Sequence, residues 1–213
     1  MMFSVIIPAH DSKAYIGRLL HSIKMQTFTN YEVMVVCDDC HDTTAKVAIR
    51  YADKVICTKY GSDGLARDEG LSVAEGDWIL FADDDDWFVH EFCFQQIADA
   101  IKGDWTDKYK DIDILAFGYL CKGQGYIAPS EKTIFNPGDA HVWSNAWKRS
   151  AIAGAKFGDA IFCSDTYFVR DVKFRTRRYA LLNMPIYYYY FNRPGSQTDR
   201  MIRGEIRVSP IAR

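Results

Sequence analysis

No stretch of this 213-residue chain approaches the ~20 consecutive apolar residues of a membrane-spanning helix, so no transmembrane segment is expected. The apolar start M1-M-F-S-V-I-I-P8 has no basic leader and no cleavage site, and proline cuts it short. It therefore reads as a strand rather than a signal peptide, which favours the cytoplasm or, through a partner, the inner face of the membrane. Charge of one sign is also missing: 26 basic against 28 acidic residues leave a net charge of −2. Nonspecific binding to nucleic acid or to a membrane surface is not indicated, and any polyanion must be met locally. Six cysteines, at 37, 40, 57, 93, 121 and 163, lack the dense regular spacing of a disulfide framework. The pair Cys37 and Cys40 has metal or redox spacing, yet no second pair or suitably placed histidine accompanies it. Repeats, low-complexity tracts and flexible linkers are absent as well.

What remains is 48% hydrophobic, enough for one domain with a substantial core. Its first hundred residues alternate between two periodicities. Phe3 to Ile7 is a short apolar run ended by Pro8. Asp11 or Ser12 follows as a helix cap, then Tyr15, Ile16, Leu19, Leu20 and Ile23 at helical spacing. Strands are expected at Tyr31 to Val36, Val55 to Thr58 and Trp78 to Ala82, with helices at about Thr43 to Ala52 and Leu65 to Ala74 between them. Such a βαβ series implies a mostly parallel, doubly wound sheet that binds ligands beyond the carboxyl ends of its strands. Three polar clusters stand at those ends: Pro8 to Asp11, Cys37 to Asp39, and Asp83 to Asp86.

The run W78-I-L-F-A-D-D-D-D-W87 concentrates four carboxylates that repel one another unless water or a cation offsets them. A solvated loop with a helix cap is the bland reading; a cation site is the sharper one. Strand alternation puts either Asp83 with Asp85 or Asp84 with Asp86 on one face, and does not choose between them.

After about residue 103 the βαβ rhythm ends. Trp105 and Tyr109 precede a strand near Ile112 to Tyr119 and a hairpin-like stretch from Gly123 to Gly138. Helices are expected at Val142 to Ala153 and Asp165 to Lys173, and a strand at Pro185 to Phe191. Trp143 and Trp147, four apart, then share a helical face and read as core. Tyr187 to Tyr190 build a two-faced strand, and the tail after Arg200 lacks a periodic pattern.

Taken in order, S4-V-I-I-P-A-H-D11, S22-I-K-M-Q-T-F28, E32-V-M-V-V-C-D-D-C-H-D42, L65-A-R-D-E-G70 and G76-D-W-I-L-F-A-D-D-D-D-W87 resemble the nucleotide-sugar-binding half of family 2 glycosyltransferases. The likeness covers residues 3 to 90, and more loosely 141 to 198 through H141-V-W143, S164-D-T-Y-F168 and Y190-F-N-R-P-G-S-Q-T198. It implies a single domain of the GT-A type: a Rossmann-like, mostly parallel central sheet flanked by helices. A nucleotide-sugar-binding half (1–102) would be fused to an acceptor-binding half (103–200), with a tail at 201–213. The implied activity is inverting, metal-dependent hexosyl or N-acetylhexosaminyl transfer from a nucleotide sugar, a UDP-sugar above others, to a saccharide or glycoconjugate hydroxyl.

The resemblance also assigns roles. Asp83 and Asp85 become an Asp-x-Asp pair, with Asp85 coordinating Mn²⁺ or Mg²⁺ and Asp83 nearer the ribose and the metal's water shell. Asp86 falls where a helix cap is needed, and Asp84 beside it in the donor site is left solvated. Pro8 and Ala9 would offer backbone to the nucleobase and ribose, His10 would stack on the base, and Asp38 would accept from uracil N3–H. In that register Cys37 replaces an aspartate, and Asp39 and Cys40 replace a Gly-Ser pair. Arg67 matches an arginine that approaches the diphosphate, and Arg193 lies in a loop that closes over it. Asp165 matches the general base, the alternative being a helix N-cap, with the base then sought at Asp159 or, after it, Asp139, while Ser164 stands in place of a glutamate. A sugar-phosphate nucleotidyltransferase would want a Gly-rich, basic loop after the first strand, which P8-A-H-D-S-K13 does not supply. A non-catalytic sugar-nucleotide or glycan-binding module is favoured by Ser164. A phosphatase of the Asp-x-Asp type would have only Asp11 as its nucleophile.

Overall fold

The structure, a computed structural model, describes residues 2–103, 111–136, 141–159 and 164–205. Trp105, Tyr109, Asp139 and Cys163 therefore lie outside the described residues. The chain builds one sheet in the order Lys54–Thr58, Tyr31–Asp38, Phe3–Ala9, Trp78–Phe81, Asn145–Lys148, Ile114–Cys121, Tyr179–Tyr189, Trp87–Phe88, with Gly125–Ile127 paired to Ile114–Cys121. Its first half is the expected βαβ series: β1 (Phe3–Ala9), α1 (Ile16–Lys24), β2 (Tyr31–Asp38), α2 (Thr44–Ala48), β3 (Lys54–Thr58), α3 (Asp63–Val73) and β4 (Trp78–Phe81). β1 pairs in parallel with β2 and β4, and β2 with β3. Their continuous apolar runs follow from burial on both faces: every residue of β1 and β4 is buried. α1 lays Ile16, Leu19, Leu20 and Ile23 onto one of those faces.

The second half is mixed. It contains β5 (Trp87–Phe88), α4 (Cys93–Lys102), β6 (Ile114–Cys121), β7 (Gly125–Ile127), α5 (Glu131–Phe135), a 3-10 turn at Val142–Ser144, β8 (Asn145–Lys148), α6 (Ser164–Lys173), β9 (Tyr179–Tyr189) and α7 (Gln197–Ile202). β8 runs antiparallel between β4 and β6, β9 is parallel to β6, and β5 closes the edge antiparallel to β9. The tyrosine run ends β9 and faces two ways: Tyr187 is buried, whereas Tyr188 stacks on Trp87 at 3.9 Å.

Four local expectations are corrected. The helix expected at Val142 to Ala153 is a 3-10 turn and a central strand; buried on both sides, that strand loses the alternation that would have marked it. Trp143 and Trp147 are core residues, as expected, but not on a helix. Asp86 caps no helix, because α4 begins at Cys93; instead its Oδ1 accepts from the Tyr190 backbone N–H at 2.7 Å, tying β5 to the end of β9. Neither Asp11 nor Ser12 caps α1 through its side chain: Tyr15 stands at the N-cap, and Asp11 accepts from the backbone N–H groups of His41 and Asp42.

Candidate active site

The carboxyl ends of β1, β2 and β4 and the loop after β9 enclose a cleft of about 580 Å³. Pro8, Ala9, His10, Asp38, Arg67, Asp83, Asp84, Asp85 and Arg193 all line it. A second groove, about 470 Å³, lies at the opposite end of β4 beside Lys148, Arg149 and Lys156 and holds none of these residues.

The acidic run divides its labour within this cleft. Asp83 accepts from Arg67 Nη2 at 2.7 Å, and its backbone N–H donates to the Tyr187 hydroxyl. Asp84, expected to be solvated, is half-buried on the cleft wall, where its Oδ2 accepts from the His10 backbone N–H at 3.2 Å. Burial, reinforced by neighbouring carboxylates, pushes both Asp83 and Asp84 up to about 7. Asp86 is the most buried of the four, and burial with the charges of Asp85 and Asp83 holds its carboxyl well above the usual range. Asp85 pairs with Arg193, Nε to Oδ2 at 2.5 Å, while Arg18 Nη2 grips the Asp85 carbonyl from behind and stacks over Trp87. The carboxylates of the four aspartates thus meet two guanidinium groups and two backbone amides.

Arg67 is the hub between the two halves of the chain. It is 4% exposed, and its guanidinium pairs with Asp63 and Asp83 and lies 3.8 Å from Asp165 Oδ1. Desolvation alone would lower its pKa, but the three carboxylates outweigh that and raise it. Ser164 enters the same knot, accepting from Arg67 Nη1 at 3.1 Å and donating to Asp63 Oδ2 at 3.0 Å. Asp165 lies in the first turn of α6 and is spent across the fold, accepting from the Val142 backbone N–H at 3.1 Å. Close approach makes the knot possible: a Cβ on Gly64 would stand 2.5 Å from the Gly158 carbonyl and 2.9 Å from Ser164 Cβ.

At the far end of the cleft Asp38 organises the turn from β3 into α3. Its Oδ1 accepts from the Thr58 hydroxyl at 2.8 Å and the Tyr60 N–H at 2.6 Å, and its Oδ2 from the Ser62 N–H at 2.9 Å. One of about four lone-pair directions is left for a ligand. His10 is set by Nδ1 against the Asp38 carbonyl at 2.8 Å, which leaves its exposed ring along the cleft wall. Asp39 has φ 49°, a conformation that favours glycine, which agrees with the register placing it where the resembled pattern has Gly.

All the residues singled out from sequence thus meet at one cleft, with Asp165 joined to it through Arg67. Arg67 is engaged by carboxylates, not held out toward solvent as a lone phosphate-binding cation. Sequence reasoning missed Asp63, Tyr15 and Asp68. Asp63 stands four residues before Arg67, the helical ion-pair spacing that could have disclosed it. Tyr15 packs under the Arg193 guanidinium, and Asp68 holds the Phe157 and Gly158 backbone N–H groups. Asp159, the other carboxylate considered for the base, is exposed in the loop after them.

Known proteins resemble the chain on both levels. EpsH of Bacillus subtilis is 26% identical over 211 residues, covering 87% of this chain and 60% of EpsH. The poly(ribitol-phosphate) beta-N-acetylglucosaminyltransferase TarS of Staphylococcus aureus is 38% identical over 99 residues, 43% of this chain and 17% of TarS. TarS 1-349 in complex with UDP-GlcNAc superposes with a TM-score of 0.78 at 24% identity, over 99% of this chain and 62% of that one. The mannosyltransferase PcManGT of Pyrobaculum calidifontis, solved with GDP-Man and Mn²⁺, gives a TM-score of 0.69 at 15% identity, over 95% of this chain and 61% of that one. The sheet and its flanking helices are thus those of the GT-A glycosyltransferases, and the chain spans 60% of EpsH, 62% of TarS 1-349 and a smaller share of TarS as a whole. The model of glycosyl transferase family 2 matches residues 4–112, from β1 to the start of the mixed half, and the chain belongs to that family.

Proposed function

We propose that the chain is an inverting glycosyltransferase that moves a sugar from a UDP-sugar to a hydroxyl of a saccharide or glycoconjugate acceptor. The observation that carries this reading is the Arg67 knot. It brings Asp83, from the end of β4, and Asp165, from α6, to a single guanidinium beside the cleft. The donor carboxylate and the base carboxylate are thereby held in fixed relation.

In this reading the nucleobase lies along Pro8, Ala9 and His10 and reaches the open lone pair of Asp38. Asp83 meets the ribose. Arg193 takes the diphosphate in a bidentate contact. Among the described residues no cluster of three His, Cys, Asp or Glu side chains could hold a metal unaided. Asp83 and Asp85 nevertheless present two hard carboxylates to the cleft, a donor set that would suit Mn²⁺ or Mg²⁺. Such an ion, when bound, would neutralise the leaving diphosphate. Asp165 takes the proton of the acceptor hydroxyl as its oxygen bonds to the anomeric carbon and the bond to the diphosphate oxygen breaks. One displacement inverts the anomeric configuration.

Thermal shift with UDP, GDP and a panel of nucleotide sugars, each with and without Mn²⁺, tests the reading. The cognate donor at ~100 times its dissociation constant adds roughly 2.7 kcal/mol. No stabilisation by any member would refute it. Ser164, which supplies a hydroxyl where a second carboxylate would stand, favours a non-catalytic sugar-nucleotide-binding module as the other reading. Stabilisation without release of UDP over long incubation would select that module.

A further inference from the structure

The contact between Arg193 and Asp85 joins two residues that the donor reading needs for different tasks. Asp85 must be free to take a divalent cation, yet its carboxylate, 15% exposed, already holds a guanidinium that is itself 19% exposed. The arm that delivers Arg193 is well built. Asn192 and Gly195 on either side are left-handed, at φ 54° and 79°, and the Ser196 N–H closes the turn onto the Arg193 carbonyl at 2.9 Å. Ser196 then caps α7, its hydroxyl oxygen accepting from the Asp199 N–H. The guanidinium carbon sits 4.5 Å above the Tyr15 ring. Asp85, for its part, has its main chain held by Arg18. The main chain of Asp85 would therefore keep its position if Arg193 left.

We propose that Arg193 is the resident counter-cation of Asp85, a latch that a divalent cation and a nucleoside diphosphate must open together. A bare cation has to expel a guanidinium from a half-enclosed carboxylate and leave it with the Tyr15 ring but no ion-pair partner, since Asp85 is its one such partner among the described residues. A diphosphate removes that cost by offering the freed guanidinium a new bidentate anion. Metal and nucleotide then bind with positive coupling, and the cleft discriminates against either alone. The proposal rests on the reading of this cleft as a donor site.

Calorimetric titration of Mn²⁺ alone, and of UDP in the presence of Mn²⁺, into the parent and into Arg193→Gln decides it. The variant should bind Mn²⁺ alone roughly 10-fold more tightly than the parent and UDP with Mn²⁺ roughly 10-fold more weakly, within the usual range of coupling between sites. A role confined to holding the loop would weaken both. Tyr15→Leu approaches the latch from the other side. By removing the ring under Arg193, it should also raise the affinity for Mn²⁺ alone, and it serves where Arg193→Gln folds poorly. Affinity for Mn²⁺ alone that is unchanged or lower in both variants overturns the latch. If neither parent nor variant binds UDP under any condition, the donor reading falls and the latch with it; UDP binding with unchanged affinity for Mn²⁺ alone overturns the latch and leaves the donor reading standing.

Discussion

Asp165→Asn is the substitution on which the mechanism turns. Asparagine keeps the size of the side chain and a carbonyl oxygen to accept from Val142 N–H, now as a neutral bond. Arg67 loses one anion but keeps Asp63 and Asp83, so no buried charge is stranded. The folding cost is thus about 1 kcal/mol, the difference between a charge-assisted and a neutral hydrogen bond. In a chain of this size that lowers the melting temperature by only about 2–4 °C. Catalysis should suffer far more. Removing a general base costs a factor of roughly 10² to 10⁴ in kcat, equivalent to about 2.7–5.4 kcal/mol of barrier. Affinity for UDP should hardly change, because Asp165 meets the diphosphate cleft only through Arg67. UDP release at saturating donor, UDP calorimetry and a melting scan separate these effects. Transfer at the parental rate would refute the assignment and move the search for the base to Asp63, whose Oδ2 shares the Arg67 knot, or to Asp159.

Asp85→Ala should abolish the Mn²⁺ dependence of UDP binding while leaving the fold intact, because relief of repulsion within the aspartate run offsets part of the ion pair with Arg193 that it removes. Unchanged metal dependence in calorimetry would show that Asp85 is no ligand. Asp38→Asn should weaken UDP by about 1–3 kcal/mol and also lower the melting temperature, since an amide cannot accept from Tyr60 and Ser62 on both sides. Equal affinity of the parent for UDP and GDP would sink the uracil contact. Glu32 tests acid stability. Burial opposes its ionisation, but the Ser4 hydroxyl, the Glu75 N–H and Lys54 outweigh that and hold its pKa below the ordinary carboxylate value. Its stabilisation is therefore present above the unfolded pKa of about 4.3 and is lost as pH falls through the lower folded value. Melting temperatures taken from pH 7 down to pH 3 should fall less in Glu32→Gln than in the parent; parallel curves would exclude this role.

The legible part of the fold is the part whose periodicity has a single cause. β1, β2 and β4 are buried on both faces and α1 on one, so apolar runs and helical spacing mark them to within a few residues. β8 failed because its neighbours are β4 and β6, both distant in sequence. Trp147 is buried on the strand for reasons that no local window contains, and the four-residue interval from Trp143 imitates a helix turn. α5 was hidden for a different reason. It is five residues long, too short to show a period, and it is held by a capping box between Ser130 and Thr133.

The site shows the same division at the scale of charges. The order of strand ends told which carboxylates would share a crevice, because topology fixes where β1, β2 and β4 end. It could not tell what neutralises them. Arg67 reaches Asp83 because α3 packs back across β1 and β2, and it reaches Asp165 because α6 docks on α3. Arg193 reaches Asp85 across 108 residues of sequence, carried there by β9 lying parallel to β6. A run of four aspartates that looks like repulsion in one dimension is therefore, in three, a row of acceptors, each with its own partner. The partner on Asp85 is a side-chain charge, where those on Asp84 and Asp86 are backbone amides. A cation can replace a guanidinium; it cannot replace an amide of the main chain. Of these three neighbours, Asp85 is the one whose partner is exchangeable, and that is the physical reason to look for the metal there.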